Sequence, residues 1–241
     1  MKYKLIYIAI VSTVLLVTVL SFTTGKSAVD DDVIVSYIAD PKKQDIQLYW
    51  KDDKGTILQS IQNLKGYLGS KGKRLVFAMN GGMFMTNNAP LGLYIQEQRV
   101  VNGLNTASGE GNFYLKPNGV FYITNANKAV VCTSGDFVNN NIKYATQSGP
   151  MLVIDGGIHP AFKKGSANLN IRNGVGILPD NRIVFAMSKE EVNFYDFALF
   201  FKNLGCKNAL YLDGFVSRMY LPEKDQLQTD GNFGVIIGIS E

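Results

Sequence analysis

Leu75-Val76-Phe77-Ala78-Met79 runs without a break into Asn80-Gly81-Gly82. Five apolar residues bounded by a polar residue and two glycines are too short for a helix, so they read as a buried strand delivering a tight turn. The same design recurs at Gln147-Ser148-Gly149-Pro150, at Asn170-Ile171-Arg172-Asn173-Gly174, and at Asp213-Gly214 with Ser217-Arg218. In each, an extended run stops and polar side chains with glycines follow at once. Glycines there let backbone N–H groups approach an anion, and strands hold the flanking polar groups rigidly.

Outward from these four points the pattern is mostly β. Val33 to Ile38, Ile46 to Trp50, Met151 to Ile154, Asn208 to Leu212 and Phe233 to Ile239 are rich in β-branched, aromatic and aliphatic residues and predict strands. Hairpins are expected for Leu91 to Gln96 with Arg99 to Val101, and for Gly174 to Leu178 with Arg182 to Met187 across Pro179-Asp180-Asn181. Another is expected for Phe113 to Lys116 with Val120 to Thr124 around Pro117-Asn118-Gly119. Two segments have helical spacing. Ile57, Ile61, Leu64 and Leu68 precede a Gly69 to Gly72 stop, and Phe194, Phe197, Ala198, Phe201 and Leu204 share one face before Gly205. No repeat or linker follows residue 30. The prediction is one α+β domain with few helices and a mixed or largely antiparallel sheet.

Composition narrows the chemistry. The 241 residues are 46% hydrophobic with 24 glycines, enough for a core and many turns and unlike a disordered chain. Two cysteines cannot build a disulfide scaffold or a four-thiolate zinc site, and one His excludes the two-His motif of metalloproteases. Carboxylates, amides, hydroxyls and arginines must carry the function. Cys132 and Cys206 are compatible with either a disulfide or two buried thiols.

Residues 1–26 read as an export segment. Lys2 and Lys4 precede an uncharged run from Leu5 to Phe22, about 18 residues, which fits a cleaved signal peptide or an uncleaved membrane anchor. A domain is then expected over 30–241, exported to the envelope or secreted, touching a membrane only through the N-terminal segment. Lys2, Lys4 and Lys26 also account for most of the net charge of +4. The remainder is near neutral and has no basic block with interleaved aromatics, so nucleic-acid binding is not expected.

Among the candidate residues, Asp213 at a strand mouth suits a general base, a nucleophile or a metal ligand, and Arg172 and Arg218 suit bidentate clamping of phosphate or carboxylate. Asn80, Gly81, Gly82, Gln147, Ser148, Gly149, Gly214 and Ser217 are candidates for orienting a substrate. His159 is a candidate acid or base because its pKa lies near neutrality, although a His beside Pro160 is more often structural. No spacing fixes a second acid; Asp136, Asp155 and Asp180 are candidates. An oxygen-rich site at Asp213 suits Ca²⁺ or Mg²⁺, but no ligand spacing demands a metal, and no organic cofactor is expected. Taken singly, Asn-Gly-Gly is more often a turn than a site.

The order and combination of Asn80-Gly81-Gly82-Met83-Phe84, Ser148-Gly149-Pro150-Met151-Leu152, Arg172-Asn173-Gly174-Val175-Gly176-Ile177 and Leu210-Tyr211-Leu212-Asp213-Gly214 with Ser217 resembles the phosphodiester glycosidase family, from about Leu75 to the C-terminus. The resemblance implies a hydrolase acting on a sugar-1-phosphodiester, with a sugar-phosphate or anionic glycan of the cell envelope or an exopolysaccharide as substrate. It implies catalytic roles for Asp213, Arg172 and Asn80, and substrate contacts by Gly81, Gly82, Gln147, Ser148, Gly149, Gly214, Ser217 and Arg218. Two positions depart from the family pattern. Phe215-Val216 stands where glycines follow the Asp-Gly, and Arg172 is followed by Asn173 rather than Thr. Bulk beside the site points to a different substrate, and a non-catalytic glycan-binding or exopolysaccharide-assembly protein is the alternative.

Overall fold

The structure, a computed structural model, describes residues 33–241. The export segment expected over 1–26 lies outside the described residues. Strands dominate, and they form three sheets. The first has the order β1 (Ile34–Ala39), β12 (Ile183–Ser188), β11 (Asn173–Ile177), β13 (Ala209–Tyr211), β9 (Met151–Ile154) and β10 (Gly157–Ile158). The second runs β15 (Gln226–Leu227), β14 (Met219–Leu221), β3 (Leu75–Asn80), β16 (Ile236–Ser240) and β2 (Ile46–Tyr49). The third runs β5 (Arg99–Asn102), β4 (Tyr94–Gln96), β8 (Ile142–Ser148), β6 (Gly119–Thr124) and β7 (Ala129–Thr133). Every pairing within them is antiparallel, and two α-helices complete the described residues. The α+β, largely antiparallel expectation holds.

Alternation along the strands decides what faces inward. Phe77 and Met79 of β3, Val175 of β11 and Phe121 of β6 enter one common core with Phe185 of β12. The Phe185 ring meets Phe77 of the second sheet at 5.2 Å and Phe121 of the third at 5.9 Å, so a single buried side chain joins all three sheets. The outer faces are covered separately. Helix α2 (Phe194–Asn203) lays Phe197, Ala198 and Phe201 on the first sheet, and α1 (Ile61–Ser70) lays Ile61, Leu64 and Leu68 on the second. Side chains cap both helices. Ser60 accepts from the Asn63 N–H at 3.2 Å and Asn193 from the Asp196 N–H at 2.9 Å, each worth about 1 kcal/mol.

Two sequence expectations need correction. The first helix starts at Ile61 rather than Ile57, because Gln59 takes a positive φ of 63° and breaks the helical path while Leu58 is buried ahead of the cap. Phe113 to Lys116 does not pair with Val120 to Thr124. Asn112–Tyr114 is a 3₁₀ turn, the Asn118 side chain donates to the Phe113 carbonyl at 3.0 Å, and β6 takes its partner from β7 downstream. The expected hairpins of β4 with β5 and of β11 with β12 form. Cys132 and Cys206 are both free thiols, and burial raises their pKa values to about 11 and about 12.

Candidate active site

The three sheets are bolted together at one end, and the bolts are polar. Asn173, which opens β11, donates from Nδ2 to the Asn80 carbonyl at 2.9 Å and to Asn80 Oδ1 at 3.0 Å, joining the first sheet to the second. Thr146 of β8 donates to the Gly81 carbonyl at 3.0 Å, joining the third to the second. Ser148, at the end of β8, donates to the Leu212 carbonyl and joins the third to the first. Strand ends in different sheets thereby converge, as the four polar-plus-glycine stops require.

Asp213 sits in this junction. Its N–H donates to Asn173 Oδ1 at 2.8 Å, and its carbonyl accepts from Ser217 Oγ at 2.7 Å. Burial raises the carboxyl pKa to about 7, with the Gly214 N–H pulling the other way. A carboxyl titrating near neutrality can take or give a proton at working pH. The turn after it is tight. A Cβ on Gly214 would lie 1.8 Å from the Tyr211 hydroxyl and 2.8 Å from the Ile171 carbonyl, so only glycine fits.

Arg172 is fully buried. Its Nε donates to the Val192 carbonyl at 2.8 Å and its Nη2 to the Asn168 carbonyl at 2.8 Å and Asn168 Oδ1 at 3.2 Å. The guanidinium lies 3.6 Å from the Phe194 ring centroid and 5.7 Å from that of Tyr211. Burial lowers its pKa, and the Tyr211 hydroxyl opposes the shift. All these acceptors are neutral oxygens, and Nη1 has no hydrogen-bond partner. Asn80 Nδ2 is a second orphan donor. Its Oδ1 already accepts from Asn173 and, at 3.0 Å, from the Arg218 N–H, which fixes the amide orientation. A buried cation without a counter-ion and unpaired buried donors are both costly.

Other candidates are placed differently. Arg218 contributes its backbone to the junction, but its guanidinium pairs with Asp230 at 2.8 Å and with the Ser217 carbonyl at 2.9 Å. Gln147 is 1% exposed and fully spent. Oε1 accepts from Leu93 N–H at 3.0 Å and Asn105 N–H at 2.9 Å, while Nε2 donates to the Asn105 carbonyl at 2.8 Å and Ser134 Oγ at 3.1 Å. Gly81 gives its N–H to the Val235 carbonyl at 2.8 Å. A Cβ on Gly82 would meet Thr146 Oγ1 at 2.6 Å, and one on Gly149 would meet Asn118 Cβ at 2.6 Å. These glycines serve close packing rather than an open anion cradle.

His159 is also placed elsewhere. Nε2 lies 3.0 Å from the Lys116 carbonyl and Nδ1 accepts from the Ala161 N–H at 3.2 Å, so both nitrogens are engaged. Burial lowers its pKa and keeps it neutral. Its ring stacks on Phe162, which stacks on Phe194 beneath Arg172, so His159 buttresses the guanidinium from two rings away. The candidate second acids take partners outside the junction. Asp180 pairs with Arg182 in the β11–β12 turn and Asp155 lies after β9 beside Asn208, both at strand ends opposite the junction. Asp136 is exposed and bonded to Thr133. Among the described residues no three His, Cys, Asp or Glu side chains gather as a metal donor set. Asn173, Tyr211 and Asn112, whose side chain reaches the Tyr211 hydroxyl, were not among the expected site residues.

The sequence profile described as phosphodiester glycosidase matches residues 73–234. An Escherichia coli K12 protein, YigE, described as uncharacterised, is 39% identical over 189 residues, 78% of this chain and 74% of that one. Among solved structures, the zebrafish N-acetylglucosamine-1-phosphodiester alpha-N-acetylglucosaminidase catalytic domain, auto-inhibited by its pro-peptide, aligns with a TM-score of 0.56 at 15% identity, covering 87% of this chain and 88% of that one. A putative exported protein from Burkholderia pseudomallei aligns with a TM-score of 0.55 at 12% identity, covering 86% of this chain and 73% of that one. At these identities the structural likeness shows a shared fold.

Proposed function

Because the chain belongs to the phosphodiester glycosidase family, we propose that it is an exported hydrolase that cleaves a sugar-1-phosphodiester of a cell-envelope glycopolymer or exopolysaccharide. The observation that carries this reading is Arg172, a buried guanidinium bonded only to neutral oxygens and with Nη1 free, in the strand-end cluster that holds Asp213. A phosphate satisfies the cation, and Asp213 supplies the proton acceptor. Asn80 Nδ2 remains to bond a sugar hydroxyl or a phosphate oxygen.

The chemistry needs few groups. Water attacks the anomeric carbon while Asp213 takes its proton, the bond from that carbon to the phosphate oxygen breaks, and the electron pair leaves on a phosphate monoester held by Arg172. The products are a free sugar and the monoester. A phosphate monoester is a good leaving group without protonation, so one carboxylate suffices where ordinary glycosidases use two. The family resemblance and the export segment support an envelope glycan as substrate. The purified protein is expected to release free sugar from sugar-1-phosphodiesters, and Asp213→Asn to stop release while leaving the fold intact. Undiminished turnover by Asp213→Asn would remove the assignment, and tight binding without turnover by the wild type would make the protein a glycan binder.

A further inference from the structure

Phe215 is 90% exposed, although it lies two residues from Asp213. An exposed aromatic ring is unremarkable on a loose loop, but this loop is fixed at every other position. Ser217 donates from its N–H to the Gly214 carbonyl at 2.8 Å and from Oγ to the Asp213 carbonyl at 2.7 Å. The Arg218 N–H is bonded to Asn80 Oδ1, Val216 packs into the cluster of Tyr220 and Phe233, and Gly214 is wedged against the Tyr211 hydroxyl. The backbone that carries the phenyl is thus fixed while the ring itself stands in solvent. Ring and carboxyl are therefore held on one short turn.

We infer that Phe215 is a specificity-determining platform on which the sugar ring of the substrate stacks. This rests on the reading of Asp213 and Arg172 given above. The choice between the two halves of the substrate follows from position. Asp213 must act at the anomeric carbon, so the sugar lies against the 213–217 turn, whereas the phosphate belongs to Arg172. A pyranose presents a face of C–H groups that covers a phenyl ring and removes apolar surface from water.

The test measures binding in the Asp213→Asn background, so that turnover does not interfere, with three probes: glucose 1-phosphate, N-acetylglucosamine 1-phosphate and inorganic phosphate. Phe215→Ala is expected to weaken at least one sugar phosphate about tenfold, equivalent to about 1.4 kcal/mol, and to leave phosphate unchanged. Phe215→Trp should restore the affinity and shift its emission with the sugar phosphates only; Trp50, the other indole, follows β2 and is tied to the Asn88 carbonyl. Equal affinities of Phe215→Ala and its parent for both sugar phosphates would overturn the platform while leaving the site standing. Loss of phosphate binding in Phe215→Ala would mark the ring as structural and overturn it too. Failure of the parent to bind any probe would overturn the reading of the site, and the platform with it.

Discussion

Asn173 reaches across from the first sheet to spend its amide on Asn80 of the second, at 2.9 and 3.0 Å, while its Oδ1 receives the N–H of Asp213 at 2.8 Å. One buried side chain thus sets the spacing of two strand ends and of the candidate catalytic carboxylate. Its backbone does the same, since the Asn173 carbonyl accepts from the Leu212 N–H at 3.1 Å.

Asn173→Ala should therefore lose both stability and activity. The substitution leaves the Asp213 N–H and two Asn80 oxygens short of a partner in a buried place, a loss of about 2–4 kcal/mol. Asn173→Asp is expected to be no better, because a carboxylate oxygen replaces the donor facing Asn80 and meets acceptors only. Urea denaturation of the two variants beside the wild type checks the stability, and sugar release checks the activity. A variant of wild-type stability would show that the Asn80–Asn173 pair does not hold the sheets together.

The raised pKa of Asp213 has a sign in two measurements. As a base it must be ionised, so sugar release should rise with pH and level off above about 7. Stability runs the opposite way. The folded value of about 7 lies above the unfolded value of 3.8, so the folded state holds the proton more tightly. The contribution is fully present below about pH 4 and is lost as pH rises through 7. Asp213→Asn should match the wild type near pH 4 and exceed it at pH 8 by a few kcal/mol, at most about 4. Equal thermal stabilities at pH 8 would show that the carboxyl is not desolvated.

Gly214 and Tyr211 form a second coupled pair. Gly214→Ala puts a methyl 1.8 Å from the Tyr211 hydroxyl and 2.8 Å from the Ile171 carbonyl, so the turn carrying Asp213 must move and activity should fall by at least tenfold. Removing the hydroxyl with Tyr211→Phe relieves the first contact and leaves the second. The double variant should recover part of the stability lost by Gly214→Ala alone, a coupling readable in a double-mutant cycle. Strict additivity would mean that the hydroxyl does not crowd the glycine.

What could be read from the sequence was local. Leu75 to Asn80 and Leu210 to Gly214 announce themselves because an apolar run stops at a polar residue and glycine, and both deliver site residues. The pairing of strands into three sheets was not legible, because period-two alternation shows which side chains point inward and not whose they meet. Phe185 looks like any strand phenylalanine until Phe77 and Phe121 are seen on either side of it. Asn173 escaped for the same reason, with bonding partners 93 and 40 residues away. Tyr211 sits in an apolar run and reads as core, although its hydroxyl faces Arg172 and Gly214. Gln147 erred in the other direction. A polar residue before Ser-Gly-Pro looked like a substrate contact, and only the fold shows that all its bonding capacity is taken.

That commitment of Gln147 makes the last prediction. The side chain satisfies the N–H groups of Leu93 and Asn105 and donates to the Asn105 carbonyl, so it ties the start of the 103–118 segment to β8. The same segment carries Asn112 to the Tyr211 hydroxyl beside the site. Gln147→Ala frees the buried N–H of Leu93 and the half-buried N–H of Asn105 and should cost about 2 kcal/mol, with amide exchange accelerating at Asn105 and across 103–112 while β11 and β12 keep their protection. Sugar release should fall mainly through weaker substrate binding, since Asp213 and Arg172 keep their own partners. Unchanged exchange at Asn105 would mean that the segment is held from elsewhere, and a fall in kcat with KM unchanged would show that Gln147 acts on the reacting groups rather than through the 103–118 segment.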